Sequence, residues 1–242
     1  MACEWGYDGI EIWHFHLLQT NEKTTDIAQV ASQHNMALSV HALSWDLNYT
    51  SSLQVIREAS LQALESSIRV TRELGAETIV IHPGRITIPE EDPEMTWPYL
   101  IDGTRRLAEC AQKEQVNLSV EIMEHIPREF FIRPSDAVRL VEAIDNLALS
   151  VTVDTAHIPW GDDLITYLQA TPRVQHIHIS DCTSKKLHLP LGKGERDLTD
   201  FLRYLKNHYP DMNVVIEGME FSHTPDVAMY NKKQIDSLFT QL

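Results

Sequence analysis

Cysteine is scarce in this 242-residue chain. Cys3, Cys110 and Cys182 stand far apart without CxxC spacing, which argues against a thiolate zinc site and a disulfide framework. No stretch approaches the roughly 20 apolar residues of a membrane helix. The opening MACEWGYDGIEIW has neither the basic region nor the small-residue cleavage site of a secretory signal, so a soluble cytoplasmic protein is the expectation. Basic residues are few: 20 Lys and Arg face 35 Asp and Glu, and the formal charge of −15 repels a polyanion such as nucleic acid. No apolar run is followed by GxGxxG, so the dinucleotide-binding fingerprint is missing. Linkers, charge blocks and low-complexity tracts are absent too, and residues 1–242 read as a single domain.

What is present is a repeat of short β-rich runs: DGIEIW (8–13), ALSVHA (37–42), TIVIHPG (78–84), NLSVEIM (117–123), LSVTVDT (149–155), VQHIHISD (174–181) and NVVIEGM (213–219). Helical periodicity fills the intervals. In residues 52–76, Leu53, Ile56, Leu61, Leu64, Ile68 and Leu74 fall near one face, and Gly75 suits a C-terminal cap. Strands alternating with helices imply a parallel sheet joined by crossovers. Polar residues stand at nearly every strand end, which a (β/α)₈ barrel requires and a doubly wound sheet does not. Only seven runs are visible, and CEWGYDGIEIW reads as the tail of a first helix entering a second strand. The expected fold is therefore a TIM (β/α)₈-type barrel lacking its first strand and most of its first helix. The gap would make pairing into a homo-oligomer attractive.

Strand alternation sorts the polar residues onto one face. Ser39 shares a face with His41, Val80 with His82, Ser119 with Glu121, Thr152 with Asp154, His176 with His178, and Val215 with Glu217. The stretch SVTVDTAH poses the question most sharply, because a buried strand closes on Asp154 and His157. A helix cap, a satisfied polar core pair and two ligands of one ion all suit it. A convergence of histidines and carboxylates inside one barrel mouth, with no matching Arg or Lys at the strand ends, is costly without a cation. A divalent ion with oxygen and imidazole ligands removes that cost, and the mixed donors suit Mn, Mg, Co or Zn.

GYDGIEIW, SVHA, IHPG, SVEIME, VDTAH, HIHISD and HLPLGKGERD, in this order, resemble the xylose isomerase-like TIM-barrel superfamily, which joins sugar isomerases and epimerases with endonuclease IV-type enzymes. The resemblance implies a divalent ion held by Glu121, Asp154, His178 and Glu217, with Glu121 and Glu217 flanking a substrate carbon as acid and base. His41, His82, His157 and His188 match the additional ligands of the endonuclease-type members, or are substrate contacts. Lys186 stands where those enzymes carry an aspartate, and an ammonium would repel a third cation.

The resemblance implies a metal-dependent isomerase or epimerase of a small sugar, sugar phosphate or related hydroxy-carbonyl compound, working through an enediolate. The alternatives are a zinc phosphodiesterase acting on abasic DNA, a dehydratase or lyase, and an inactive metal-binding barrel. Glu11, Lys186 and Lys193 are candidate substrate contacts, with Arg196 a further group for a phosphate. Trp13, Trp45, Trp97 and Trp160 are aromatic residues that could wall a sugar pocket or simply pack the core.

Overall fold

The computed structural model describes residues 1–219 and 224–240. Seven strands, β1 (Gly9–Trp13), β2 (Ala37–His41), β3 (Thr78–Ile81), β4 (Asn117–Glu121), β5 (Leu149–Asp154), β6 (Val174–Ile179) and β7 (Asn213–Ile216), form one sheet in sequential order. Every adjacent pair is parallel. Helices α1 (His14–Thr20), α2 (Thr24–Gln33), α3 (Gln54–Glu73), α4 (Trp97–Glu114), α5 (Pro134–Ile144), α6 (Leu164–Ala170), α7 (Thr199–His208) and α8 (Asp226–Thr240) alternate with them. The result is a nearly closed barrel of the TIM type, as the strand-and-helix alternation predicts.

Residues TIVI of β3 and LSVTVD of β5 are buried throughout, as a strand covered on both faces requires. Their outward members, among them Ile79, Ile81, Val151 and Val153, join Leu64 and Ile68 of α3, Leu107 of α4, Leu140 of α5 and Leu202 of α7 in one apolar cluster. Each such side chain contributes about 1.5–3 kcal/mol on leaving water. Helix α3 ends two residues before Gly75, whose φ of 70° takes the left-handed turn that stops it. The seven-residue α1 is too short for its period to show in the sequence.

The inward faces are polar. Ser39 Oγ donates to Glu11 Oε2 at 2.8 Å, Ser119 Oγ meets Thr152 Oγ1 at 2.6 Å, and Asn117 Nδ2 donates to Ser150 Oγ at 2.8 Å. A register shift opposite Val151/Thr152 puts His176 beside Thr152 and His178 beside Asp154, so both imidazoles point inward with them. Among the described residues, each of the outer strands β1 and β7 pairs on one side only, and Ile10 and Val214 are partly exposed there. The N-terminal turn leans on α8 across this seam, where the Tyr7 hydroxyl donates to the Ala228 carbonyl at 2.8 Å.

Candidate metal centre

Glu121 ends β4, Asp154 ends β5, His178 lies one residue from the end of β6 and Glu217 follows β7. Parallel register delivers these ends to the same level of the barrel, and one ligand atom from each lies within 4.8 Å of the others. His178 Nδ1 is 3.1 Å from Glu121 Oε1 and 3.3 Å from Glu217 Oε1. Asp154 Oδ1 accepts from the Ala156 amide at 2.6 Å, while Oδ2 is buried without a hydrogen-bond partner.

Two further groups adjoin the first. His41 Nε2 and His82 Nε2 lie 3.9 and 3.3 Å from Glu121 Oε2. On the other flank, His157 Nε2 is 3.3 Å from His188 Nε2 and 3.9 Å from Asp154 Oδ2, and His188 Nδ1 is 3.6 Å from the same oxygen. Backbone carbonyls orient two of these rings. His41 Nδ1 donates to Ala42 O at 3.0 Å and His157 Nδ1 to Ile122 O at 2.8 Å, leaving each Nε2 turned into the cluster.

Burial opposes charge on all these groups, and their mutual fields decide the outcome. Burial works against His178, but Glu217, Glu11 and Glu121 outweigh it and hold its pKa well above the ordinary imidazole value. The same contest, with Asp154, Glu121 and Glu124 as the anions, lifts His157 to about 9. Glu121 is held well below the carboxylate range against burial, chiefly by His178. Burial raises Asp154 to about 6, with Glu217 and Glu121 adding to it against His157 and His188. In His41, burial and the adjoining His82 prevail and lower the pKa. Protons on His178 and His157 thus balance the carboxylates, in the place a cation would take. Three carboxylates and an imidazole around one point, with a buried unpartnered Asp154 oxygen, suit a hard or borderline divalent ion.

The sequence profile of the xylose isomerase-like TIM barrel family matches residues 1–234. The chain belongs to this family. Among curated relatives, an uncharacterised protein of Methanocaldococcus jannaschii is 27% identical over 180 residues, 74% of this chain and 69% of that one. The fructoselysine 3-epimerase of Shigella flexneri is 24% identical over 217 residues, 84% of this chain and 77% of that one. Among solved barrels, a D-tagatose 3-epimerase-like protein superposes with a TM-score of 0.86 at 19% identity, covering 98% of this chain and 90% of the other. The 3-keto-D-glucoside 4-epimerase of E. coli gives 0.82 at 18% identity, with 98% and 90% covered.

All eight candidate ligand positions gather within these three adjoining groups. The candidate substrate contacts behave differently. Glu11 is withdrawn beneath His178, with its side chain only 4% exposed. Lys186 is exposed in a turn that the Thr183 amide closes on the Lys186 carbonyl. Lys193 points to α8, its Nζ 5.1 Å from the Tyr230 ring centre. Arg196 donates to the Ile158 carbonyl at 2.9 Å and lies over Trp160. Trp97 is core, packed on Phe130 and Phe131, whereas Trp13 faces His41 at 5.2 Å with the exposed Trp45 edge-on to it.

Sequence reasoning passed over Glu124, Glu129 and Asp181. Glu124 Oε2 lies 3.5 Å from His157 Nε2, and its place three residues after Glu121 in SVEIME was the available signal. Burial and then Glu124 raise Glu129, near His82 and Arg85, to about 7, and nothing in its loop sequence announces this. Asp181 accepts the backbone N–H groups of Cys182, Gly192, Gly194 and Arg196 at 2.8–3.0 Å, so its carboxylate folds the GKGERD loop against the barrel mouth.

Proposed function

We propose that this chain is a divalent-metal-dependent epimerase or isomerase of a small sugar, sugar phosphate or related hydroxy-carbonyl compound. The observation that carries the reading is the placement of two glutamates, Glu121 and Glu217, from opposite ends of the β4–β7 half of the barrel, against one histidine nitrogen. The epimerase names of the fructoselysine enzyme and of the solved barrels support it.

Glu121, Asp154, His178 and Glu217 would hold one Mn, Mg, Co or Zn ion. When bound, such an ion supplies Lewis acidity toward a carbonyl and its neighbouring hydroxyl, which acidifies the C–H between them. The chain's own residues then handle the proton. One glutamate takes it from the carbon, and the other returns a proton from its own carboxyl to the opposite face, so the two exchange protonation states at each turnover. The His157 and His188 imidazoles, which flank Asp154, would donate hydrogen bonds to substrate hydroxyls. Trp13 and Trp45 offer an aromatic wall on the His41 side.

The gathering of His41, His82, His157 and His188 around the central four favours a second reading, zinc-dependent phosphodiester hydrolysis at abasic DNA. The net charge of −15 opposes it. A panel of ketopentoses, ketohexoses and their phosphates, incubated with metal-stripped and metal-reloaded protein, tests the choice. Metal-dependent formation of an epimer or an aldose supports the proposal. Nicking of abasic-site DNA at physiological salt without sugar turnover replaces it with the second reading.

A further inference from the structure

His41 and His157 each have one ring nitrogen fixed by a backbone carbonyl. His178 has no such carbonyl. Its Nδ1 faces Glu121 and Glu217, and its Nε2 lies 3.0 Å from Glu11 Oε1. Glu11 comes from β1, the strand at the open seam, and reaches across the lumen past β7 to β6. Its second oxygen is 2.8 Å from His176 Nε2 and accepts from Ser39 Oγ at 2.8 Å. Both histidines are fully buried.

We propose that Glu11 is a positioning residue that keeps the proton of neutral His178 on Nε2 and so presents the Nδ1 lone pair to the cation site. This rests on the reading of Glu121, Asp154, His178 and Glu217 as metal ligands. A neutral imidazole carries one N–H, and the carboxylate oxygen 3.0 Å from Nε2, where neither atom has another hydrogen-bond partner, favours the proton at Nε2. The proton therefore stays on Nε2, and Nδ1 is the nitrogen free to coordinate. A carboxylate behind a ligating imidazole fixes the ring and raises its basicity. Ser39 holds one oxygen of that carboxylate by a hydrogen bond, with His176 Nε2 2.8 Å from the same oxygen, and the other oxygen faces His178. The contact also ties the edge strand β1 to β6, so one side chain both spans the seam and orients a ligand.

The test uses the metal-stripped full chain and no sugar. Zn²⁺ is added to histidine-¹⁵N-labelled protein and the His178 ring is read by long-range ¹H–¹⁵N correlation; Mn²⁺ or Zn²⁺ affinity is measured by chelator competition. The expected results are an Nε2–H, Nδ1-bound His178 in the wild type, and a cation affinity about 10–100-fold weaker in Glu11→Gln. Ser39→Ala, which removes a donor but keeps the charge, is expected to change affinity less than about threefold. An Nε2-bound His178 in the wild type overturns the proposal, and this reading needs no variant to fold. So does Glu11→Gln affinity within about threefold of the wild type, or a second ion per chain that disappears in Glu11→Gln, which would make Glu11 a ligand itself. Because no outcome involves turnover, failure to find a sugar substrate leaves this inference standing, and sugar turnover with the opposite tautomer removes this inference alone.

Discussion

Glu121 and Glu217 bring their Oε1 atoms to 3.1 and 3.3 Å of the same atom, Nδ1 of His178, from strands β4 and β7. Buried carboxylates this close are tolerable only with a positive charge between them. A protonated His178 supplies it in the absence of an ion, and a divalent cation would do so in its presence. Loading therefore exchanges a proton for a metal.

That exchange predicts a pH dependence of binding. Titration calorimetry at pH 7 in buffers of different ionisation heat should show release of about one proton per ion from His178, whose pKa its neighbouring glutamates hold well above the ordinary imidazole value. Apparent affinity should rise with pH up to about tenfold per unit while that proton remains to be displaced. Binding with no proton release would show that the ion does not displace the His178 proton.

Stability of the metal-free chain should show the matching trend. His157 and His178 have folded pKa values above their unfolded ones, so their stabilisation is complete below about pH 6.5 and is lost as pH rises, through about 9 for His157. The lowered pKa values of Glu11, Glu121 and Glu217 act the other way, with stabilisation lost as pH falls below the ordinary carboxylate range. Thermal unfolding of metal-stripped protein should give a Tm that drops between pH 6.5 and 9. With saturating Mn²⁺ the His178 share of the drop should vanish, since the ion takes the place of that proton. A metal-free Tm that rises over this range would contradict the charge balance.

The GKGERD loop should depend on Asp181 and on the smallness of Gly194. A Cβ at Gly194 would lie 2.3 Å from Asp181 Oδ1 and 2.5 Å from the Cys182 carbonyl oxygen, and that backbone oxygen cannot swing away. Gly194→Ala should cost about 1–3 kcal/mol, as overpacking does. Asp181→Ala should cost a similar amount or more, because four backbone donors lose their acceptor. Chemical denaturation measures both; a wild-type midpoint for Asp181→Ala would remove the carboxylate from this role.

Glu121→Gln and Glu217→Gln should each lower turnover of a responsive sugar by about 10²–10⁴-fold, the range of a lost acid or base. Replacing one of two glutamates should abolish solvent-proton exchange from one face of the carbon before the other. Steady-state rates and the face from which label is lost check this; equal retention of activity in both variants would exclude the two-glutamate pair.

Much of this was legible in the sequence because it follows from period and position. Alternation of two places His176 with His178 and Thr152 with Asp154 without reference to contacts, and a parallel barrel delivers strand ends to one level. Seven of the eight candidate ligand positions sit on those ends or within three residues of them, and His188 follows the end of β6 by nine residues. What the sequence could not place were side chains whose surroundings depend on distant partners. Glu11, a candidate substrate contact in the sequence, lies against His176 and His178. Lys193 turned away because Tyr230, 37 positions on, offers its ring. Glu124 and Asp181 stand inside SVEIME and HIHISD, but their partners could not be read there, since an acceptor for four loop amides and a carboxylate behind a histidine exist only once the loops have folded.

The most direct test of the account is solvent deuterium exchange. The metal-reloaded protein is incubated in D₂O with ketopentoses and ketohexoses, and the carbon-bound hydrogen beside the carbonyl is followed by ¹H NMR, with metal-stripped protein alongside. The account predicts deuterium entering that carbon, with epimer or aldose formation, only when the ion and both Glu121 and Glu217 are present. Loss of no carbon-bound hydrogen from any member of the panel, in protein shown to hold its ion, would contradict it.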